Sequence, residues 1–272
     1  MRWGMDLEVG NGLRLLGVDP GFASPLRPGD RATLKLWWQA QESPTTDMAL
    51  IVGIGQGDRA WPLSALQPLG GPDYPTREWP AGTVAQTFVD MRIPPAVASG
   101  DYNLALRLVD VNREAQAGEW LLGRMQIAGR PRLFEIPPLS HPLEADFDQK
   151  IKLLGYDLDV SRVAAGEPAR LTLYWQAQAE MPTAYKVFVH LLDSSGQIVT
   201  QVDREPQAGQ SPTTGWLPGE VVIDNIEVPA TQRMADTHTI AIGLYDPASG
   251  KRLSVVDGNG AVVGDSVMFL AP

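Results

Sequence analysis

The chain predicts an all-β protein built as two tandem antiparallel β-sandwich domains, immunoglobulin-like in architecture. Three observations carry that reading. First, Leu34-Lys35-Leu36-Trp37-Trp38-Gln39-Ala40 returns 137 residues later as Leu171-Thr172-Leu173-Tyr174-Trp175-Gln176-Ala177. Leu15-Leu16-Gly17-Val18-Asp19 returns as Leu153-Leu154-Gly155-Tyr156-Asp157, and Trp79-Pro80-Ala81-Gly82 as Trp216-Leu217-Pro218-Gly219. A repeat this long means tandem domains, not a solenoid of small units. Second, 27 glycines and 23 prolines punctuate short β-type runs, the pattern of sandwiches and barrels. Third, no stretch sustains a helical apolar period, whereas alternation with period two recurs.

The elements follow in order. In the first copy Leu34, Leu36 and Trp38 point to the core and Lys35, Trp37 and Gln39 away from it. Ala49 to Val52 matches the later Val187 strand, and Leu104, Leu106 and Leu108 match Ile240, Ile242 and Leu244. Gly53 to Pro75 reads as longer loops. Residues 1–129 form the first domain and 130–146 a connector, stiffened by four prolines between Gly129 and Leu143. The second domain, 147–272, opens with a strand over Phe147 to Leu154. Leu171, Leu173 and Trp175 then alternate with Thr172, Tyr174 and Gln176. Tyr185, Val187, Val189 and Leu191 alternate with Lys186, Phe188, His190 and Leu192. Asp193 to Gly196 and Asp246 to Gly250 are turns. Val221 to Ile223, Ile226 to Val228 and Val267 to Leu270 complete a plan of about seven strands per copy. Trp38 and Trp175, in phase with the leucines, belong to the core. Trp79 and Trp216, before matching turns, read as plugs.

Composition narrows the partners. The net charge is −10, and residues 140–272 carry −8 of it (9 Lys and Arg against 17 Asp and Glu). An acidic surface excludes nucleic acid as the main partner. No apolar run is long enough to span a bilayer, so direct membrane insertion is not expected. Met1 to Asn11 lacks the apolar stretch of a signal peptide. The chain, if complete, is expected to stay cytoplasmic; if it belongs to a longer exported or membrane polypeptide, it is extracytoplasmic or on the cell surface. With no cysteine there is neither a disulfide framework nor a Cys-ligated zinc site.

The candidate chemistry lies on the faces turned away from the core. The second copy offers Tyr174, Phe188, His190 and Tyr245, interleaved with Thr172, Gln176 and Lys186. If their strands are neighbours, aromatic rings and polar groups share one surface. Pyranose C–H faces stack on such rings, and their hydroxyls need donors and acceptors. The first copy offers Trp37 and Arg107, with Lys35 and Gln39. His190 is read first as a hydrogen-bonded structural histidine. His141, His190 and His238 do not have metal-ligand spacing, and no metal or cofactor is expected. Asp193, Asp203, Asp224 and Asp246 lack the Asp-x-Asp-x-Asp pattern of a calcium loop. Neither a Gly-x-Ser-x-Gly elbow nor a phosphate-binding Gly-rich loop before a helix is present.

Leu153 to Asp157, Leu171 to Ala177 and Val187-Phe188-Val189-His190-Leu191-Leu192-Asp193 carry a resemblance, continued by Trp216 to Glu220 and Gly243 to Pro247. They resemble the extracytoplasmic C-terminal modules of bacterial membrane glycosyltransferases of the protein-mannosyltransferase-like type, and related surface proteins. The resemblance covers most of 147–270 and extends more weakly over 13–128. It implies an accessory role beside a glycosyltransferase and supplies no catalytic residues. The leading expectation is a non-catalytic module that recognises cell-surface carbohydrate through the second domain. A structural spacer or protein-interaction module is the alternative, and a β-sandwich glycoside hydrolase the third reading.

Overall fold

The computed structural model describes residues 3–112 and 115–271 and divides the chain into two units, 1–130 and 131–272. In the first unit the strands are β1 (Trp3–Gly10), β2 (Leu13–Pro20), β3 (Arg31–Ala40), β4 (Met48–Gln56), β5 (Arg59–Pro62), β6 (Gln67–Pro68), β7 (Val84–Arg92), β8 (Gly100–Asp110) and β9 (Ala115–Ile127). In the second they are β10 (His141–Phe147), β11 (Ile151–Asp159), β12 (Ala169–Ala177), β13 (Lys186–Leu192), β14 (Ile198–Arg204), β15 (Val221–Val228), β16 (Thr239–Tyr245), β17 (Val255–Val256), β18 (Val262–Gly264) and β19 (Val267–Leu270).

Each unit is an antiparallel sandwich. Among the described residues one sheet of the first domain runs β1-β2-β3-β7 and the other β5-β4-β8-β9, with β6 beside β4. The second domain repeats this order as β10-β11-β12-β15, extended by β17 and β18, and β14-β13-β16-β19. The inner faces of each pair of sheets enclose a separate core. Leu34, Leu36, Trp38, Val52 and Leu106 lie in the first, and Leu171, Leu173, Trp175, Val189 and Ile242 in the second.

The sequence repeats have identifiable physical causes. Leu-Leu-Gly is a β-bulge: the β2–β3 register slips between Leu15 and Gly17, and the β11–β12 register between Leu153 and Gly155. A side chain at Gly155 would meet the His141 carbonyl at 2.6 Å, so β10 can cross there only over glycine. The repeated tryptophans do plug the sandwich, each from a loop with the same bonding. Trp79 Nε1 donates to Tyr74 O at 3.2 Å and Trp216 Nε1 to Ser211 O at 3.0 Å. Thr76 Oγ1 accepts from Met48 N and donates to Thr46 O; Thr213 Oγ1 accepts from Tyr185 N and donates to Thr183 O. Both indoles are fully buried.

Three boundaries differ from the expectations. The first part of Gly53 to Pro75 is not loop, because β4 continues to Gln56 and returns as β5 through a tight turn at Gly57 and Asp58, whereas most of 63–75 is loop as expected. The stretch Phe147 to Leu154 is not one strand. It turns at Asp148 and Gln149, both with positive φ, so the first strand of the second domain opens at His141. The connector is not a free linker either. Leu133 and Leu139 pack with Leu154, Tyr174 and Val221, and Arg132 pairs with the buried Glu220. Residues 131–140 therefore belong to the second domain.

Candidate ligand-binding surfaces

The proposed surface of the second domain does not assemble. Tyr174 and Gln176 sit on β12, whereas Lys186, Phe188 and His190 sit on β13 and Tyr245 on β16. These strands belong to opposite sheets of the sandwich. Their outward faces therefore look in opposite directions, and alternation within a strand carries no information about which sheet it joins.

Two of the four rings are also covered. Tyr174 is only 8% exposed, closed in by Leu133, Leu139 and Ile223. Its hydroxyl donates to Asp157 Oδ2 at 2.6 Å, and this bond pushes the phenol up to about 12, burial adding to the effect. The same bond, with that from Ser140, holds Asp157 below the usual carboxylate range. Asp157 contributes stability above its unfolded value, and that contribution is lost as pH falls through the lower folded value. Tyr174 contributes below its unfolded value, and that contribution is lost as pH rises through about 12. Tyr174→Phe is expected to cost about 1 kcal/mol at neutral pH, discounted for solvent reach to Asp157. The penalty should shrink in acid, as Asp157 is protonated. Urea melts of wild type and variant between pH 2.5 and 8 check it, and a penalty unchanged in acid would contradict the assignment.

Phe188, 2% exposed, lies beneath Arg252, whose guanidinium stands 4.3 Å from the ring centroid. Arg252 is held by Asp265 at 3.2 Å. Gly243, directly across from Phe188, leaves the slot the ring fills, since a Cβ there would come within 2.4 Å of it. His190 tilts against Phe188 at 4.8 Å, with Nε2 3.9 Å from Asp203. Burial keeps its imidazole below the ordinary value against the pull of Asp203. Lys186 and Tyr245, half-buried, flank this stack as a cross-strand pair. The arrangement is a packed stack of side chains.

The first domain differs at the same positions. Across β4 and β8, Ile51 and Arg107 stand where Phe188 and Gly243 stand, and Gly53 and Ala105 where His190 and Ala241 stand. The slot is left open. A groove of about 700 Å³ lies there, with Ile51, Gly53, Gly55 and Ala105 along its floor. One wall is β5, which runs so close that a Cβ at Gly53 would meet Trp61 O at 3.0 Å. The other wall carries Asn103, Arg107, Glu119 and the exposed Leu121. Arg107 Nη2 donates to Glu119 Oε2 at 2.8 Å, and both side chains are about half exposed. Asp58 and Arg59 close the end at the turn. The Trp61 ring packs edge-on against Tyr102, at 5.7 Å and 82°, and is partly buried against the core. Of the residues proposed from sequence, Arg107 lines this groove. Trp37 does not: it is on β3, in the other sheet. Gly53, Gly55, Asn103 and Glu119 were missed, although a Gly-x-Gly on a strand signals close approach of another chain or ligand.

A second cavity, about 430 Å³, opens at one end of the second sandwich among Val163, Leu171, Val228, Met234 and Ile240, with no charged side chain in its lining. The four aspartates considered for calcium are dispersed. Asp193 and Asp246 cap hairpin turns, Asp203 lies beside His190, and Asp224 is buried against Arg204. Among the described residues no three His, Asp or Glu gather as a metal-ligand group. No described helix is long and apolar enough to cross a membrane. In comparisons with known proteins, the chain matches no family model and no curated relative.

Proposed function

We propose that the chain is a non-catalytic binding module and that its ligand is a neutral carbohydrate taken into the groove of the first domain. The observation that supports this most is the groove's chemistry. Ile51, Gly53, Gly55 and Ala105 give a low apolar floor for sugar C–H groups, and Asn103, Arg107 and Glu119 bring donors and acceptors to its edge. Hydroxyls need both kinds of partner. The Arg107–Glu119 pair also cancels its own charge, which suits an uncharged polyol better than a phosphate or a cation. The site thereby moves from the second domain, where Arg252 closes the corresponding slot, to the first. The resemblance of residues 147–270 to glycosyltransferase appendages favours an extracytoplasmic setting beside such an enzyme.

A glycan-array screen followed by calorimetry tests the proposal. A neutral oligosaccharide should bind, and Arg107→Ala should weaken it about 10- to 100-fold, the worth of hydrogen bonds to a charged group. His190→Ala should leave binding unchanged. Binding lost through His190→Ala but kept in Arg107→Ala would overturn the assignment, as would no binding at millimolar sugar.

A further inference from the structure

The strand register lays out the groove of the first domain in rows. Across β4, β8 and β9, Ile51, Arg107 and Glu119 form one row, and Gly53, Ala105 and Leu121 the next. Gly55 and Asn103 belong to a third. The middle row is apolar and low, and the rows on either side of it carry polar groups. Asn103 and Arg107 lie four residues apart on β8, about 13 Å along the strand. That length takes two pyranose rings in line.

The Arg107–Glu119 pair leaves hydrogen-bonding capacity on both partners. Arg107 Nε and Nη2 both donate to one oxygen, Glu119 Oε2, at 3.2 and 2.8 Å. Among the described residues neither Glu119 Oε1 nor Arg107 Nη1 has a hydrogen-bond partner. The second domain sets an arginine–carboxylate pair at the matching place. A Cβ at Gly243, the counterpart of Arg107, would meet Asp265 O at 2.9 Å. There Arg252 Nη1 donates to both carboxylate oxygens of Asp265, at 3.3 and 3.2 Å, and its guanidinium lies against Phe188. That pair is closed on itself and on a ring. The pair in the first domain keeps a charged acceptor and charged donors at the edge of an open groove.

We propose that the Arg107–Glu119 pair is the specificity determinant of this groove and selects a sugar with a free vicinal diol; the proposal rests on the carbohydrate reading of the groove. One hydroxyl donates to Glu119 Oε1, and its neighbour on the ring accepts from a guanidinium N–H of Arg107. The C–H face of the adjoining ring lies over Gly53 and Ala105, and Asn103 meets the far end. Hydrogen bonds to ionised groups are the stronger ones, so these two contacts outweigh those to Asn103. A diol engages both charges at once without separating them, which a lone hydroxyl does not.

The test titrates the full chain, followed by NMR, with cellobiose, lactose and mannobiose, which between them present cis and trans diols. At least one should bind. Among monodeoxy derivatives of the sugar that binds, the two largest losses, about 10- to 100-fold, should fall at adjacent ring positions. In Glu119→Ala the loss at one of those two positions should vanish, the mark of a direct contact in a double-mutant cycle. Glu119 is half exposed, so an unchanged melting curve separates lost binding from lost folding. Largest losses at non-adjacent positions, or a deoxy pattern that Glu119→Ala leaves unchanged, would overturn the diol assignment while the carbohydrate reading stands. No binding of any of the three at millimolar sugar would overturn both.

Discussion

Trp175→Ala should lower the stability of the second domain by about 3–5 kcal/mol, the cost of an unfilled cavity in a close-packed core. The indole is fully buried on β12, edge-on to Phe147 at 5.9 Å and between the leucines that alternate with it. Its counterpart Trp38 should cost as much in the first domain, where it also donates to Thr87 Oγ1 at 3.1 Å. The two cores share no residue. Each substitution should therefore move one of two unfolding transitions and leave the other in place. Calorimetry or urea denaturation read by near-UV dichroism checks this. A loss below about 1 kcal/mol, the range of surface substitutions, would contradict the packing described.

Arg132→Ala should be nearly as costly, for an electrostatic reason. Glu220 is fully buried and accepts from Arg132 and from Leu217 N at 2.9 Å. Arg132 Nη1 also donates to Gly215 O at 3.0 Å. Removing one partner of a buried ion pair strands the other charge, at about 3–5 kcal/mol. Substituting Glu220→Gln in the same chain should recover part of the loss, because the stranded group is then neutral. The damage should be local first: residues 131–140 lift from Tyr174 and become open to proteolysis. Unchanged stability with unchanged protease resistance would remove the latch from the account.

The two domains, their strands and their tryptophan cores were legible because they depend on local rules. Alternation shows which side chains face inward, and repetition shows which of them the fold requires. The candidate surface was not legible, because it depends on sheet membership. Tyr174 and Phe188 both alternate outward, but the chain changes sheets between β12 and β13, so their outward directions are opposed. The burial of Phe188 comes from Arg252, 64 residues further on, which no local pattern reveals. The prolines after Gly129 suggested a spacer. Leu133 and Leu139 decide where it lies, and their partners are 15 to 88 residues away. In the first domain the informative residues were small ones. Gly53, Gly55 and Ala105 form a site by leaving space, and that acquires meaning only beside the filled counterpart.

The attachment of residues 131–140 to the sandwich that follows them fixes where this protein can be cut and rejoined. A graft of the second domain that starts at His141 would bare Tyr174, Leu154 and Val221 and strip Glu220 of its guanidinium. One that starts at Pro131 carries everything its outer sheet needs. The natural seam is thus at Arg130, ahead of the prolines. A duplication that respects it lengthens the chain by whole, self-lidded blocks.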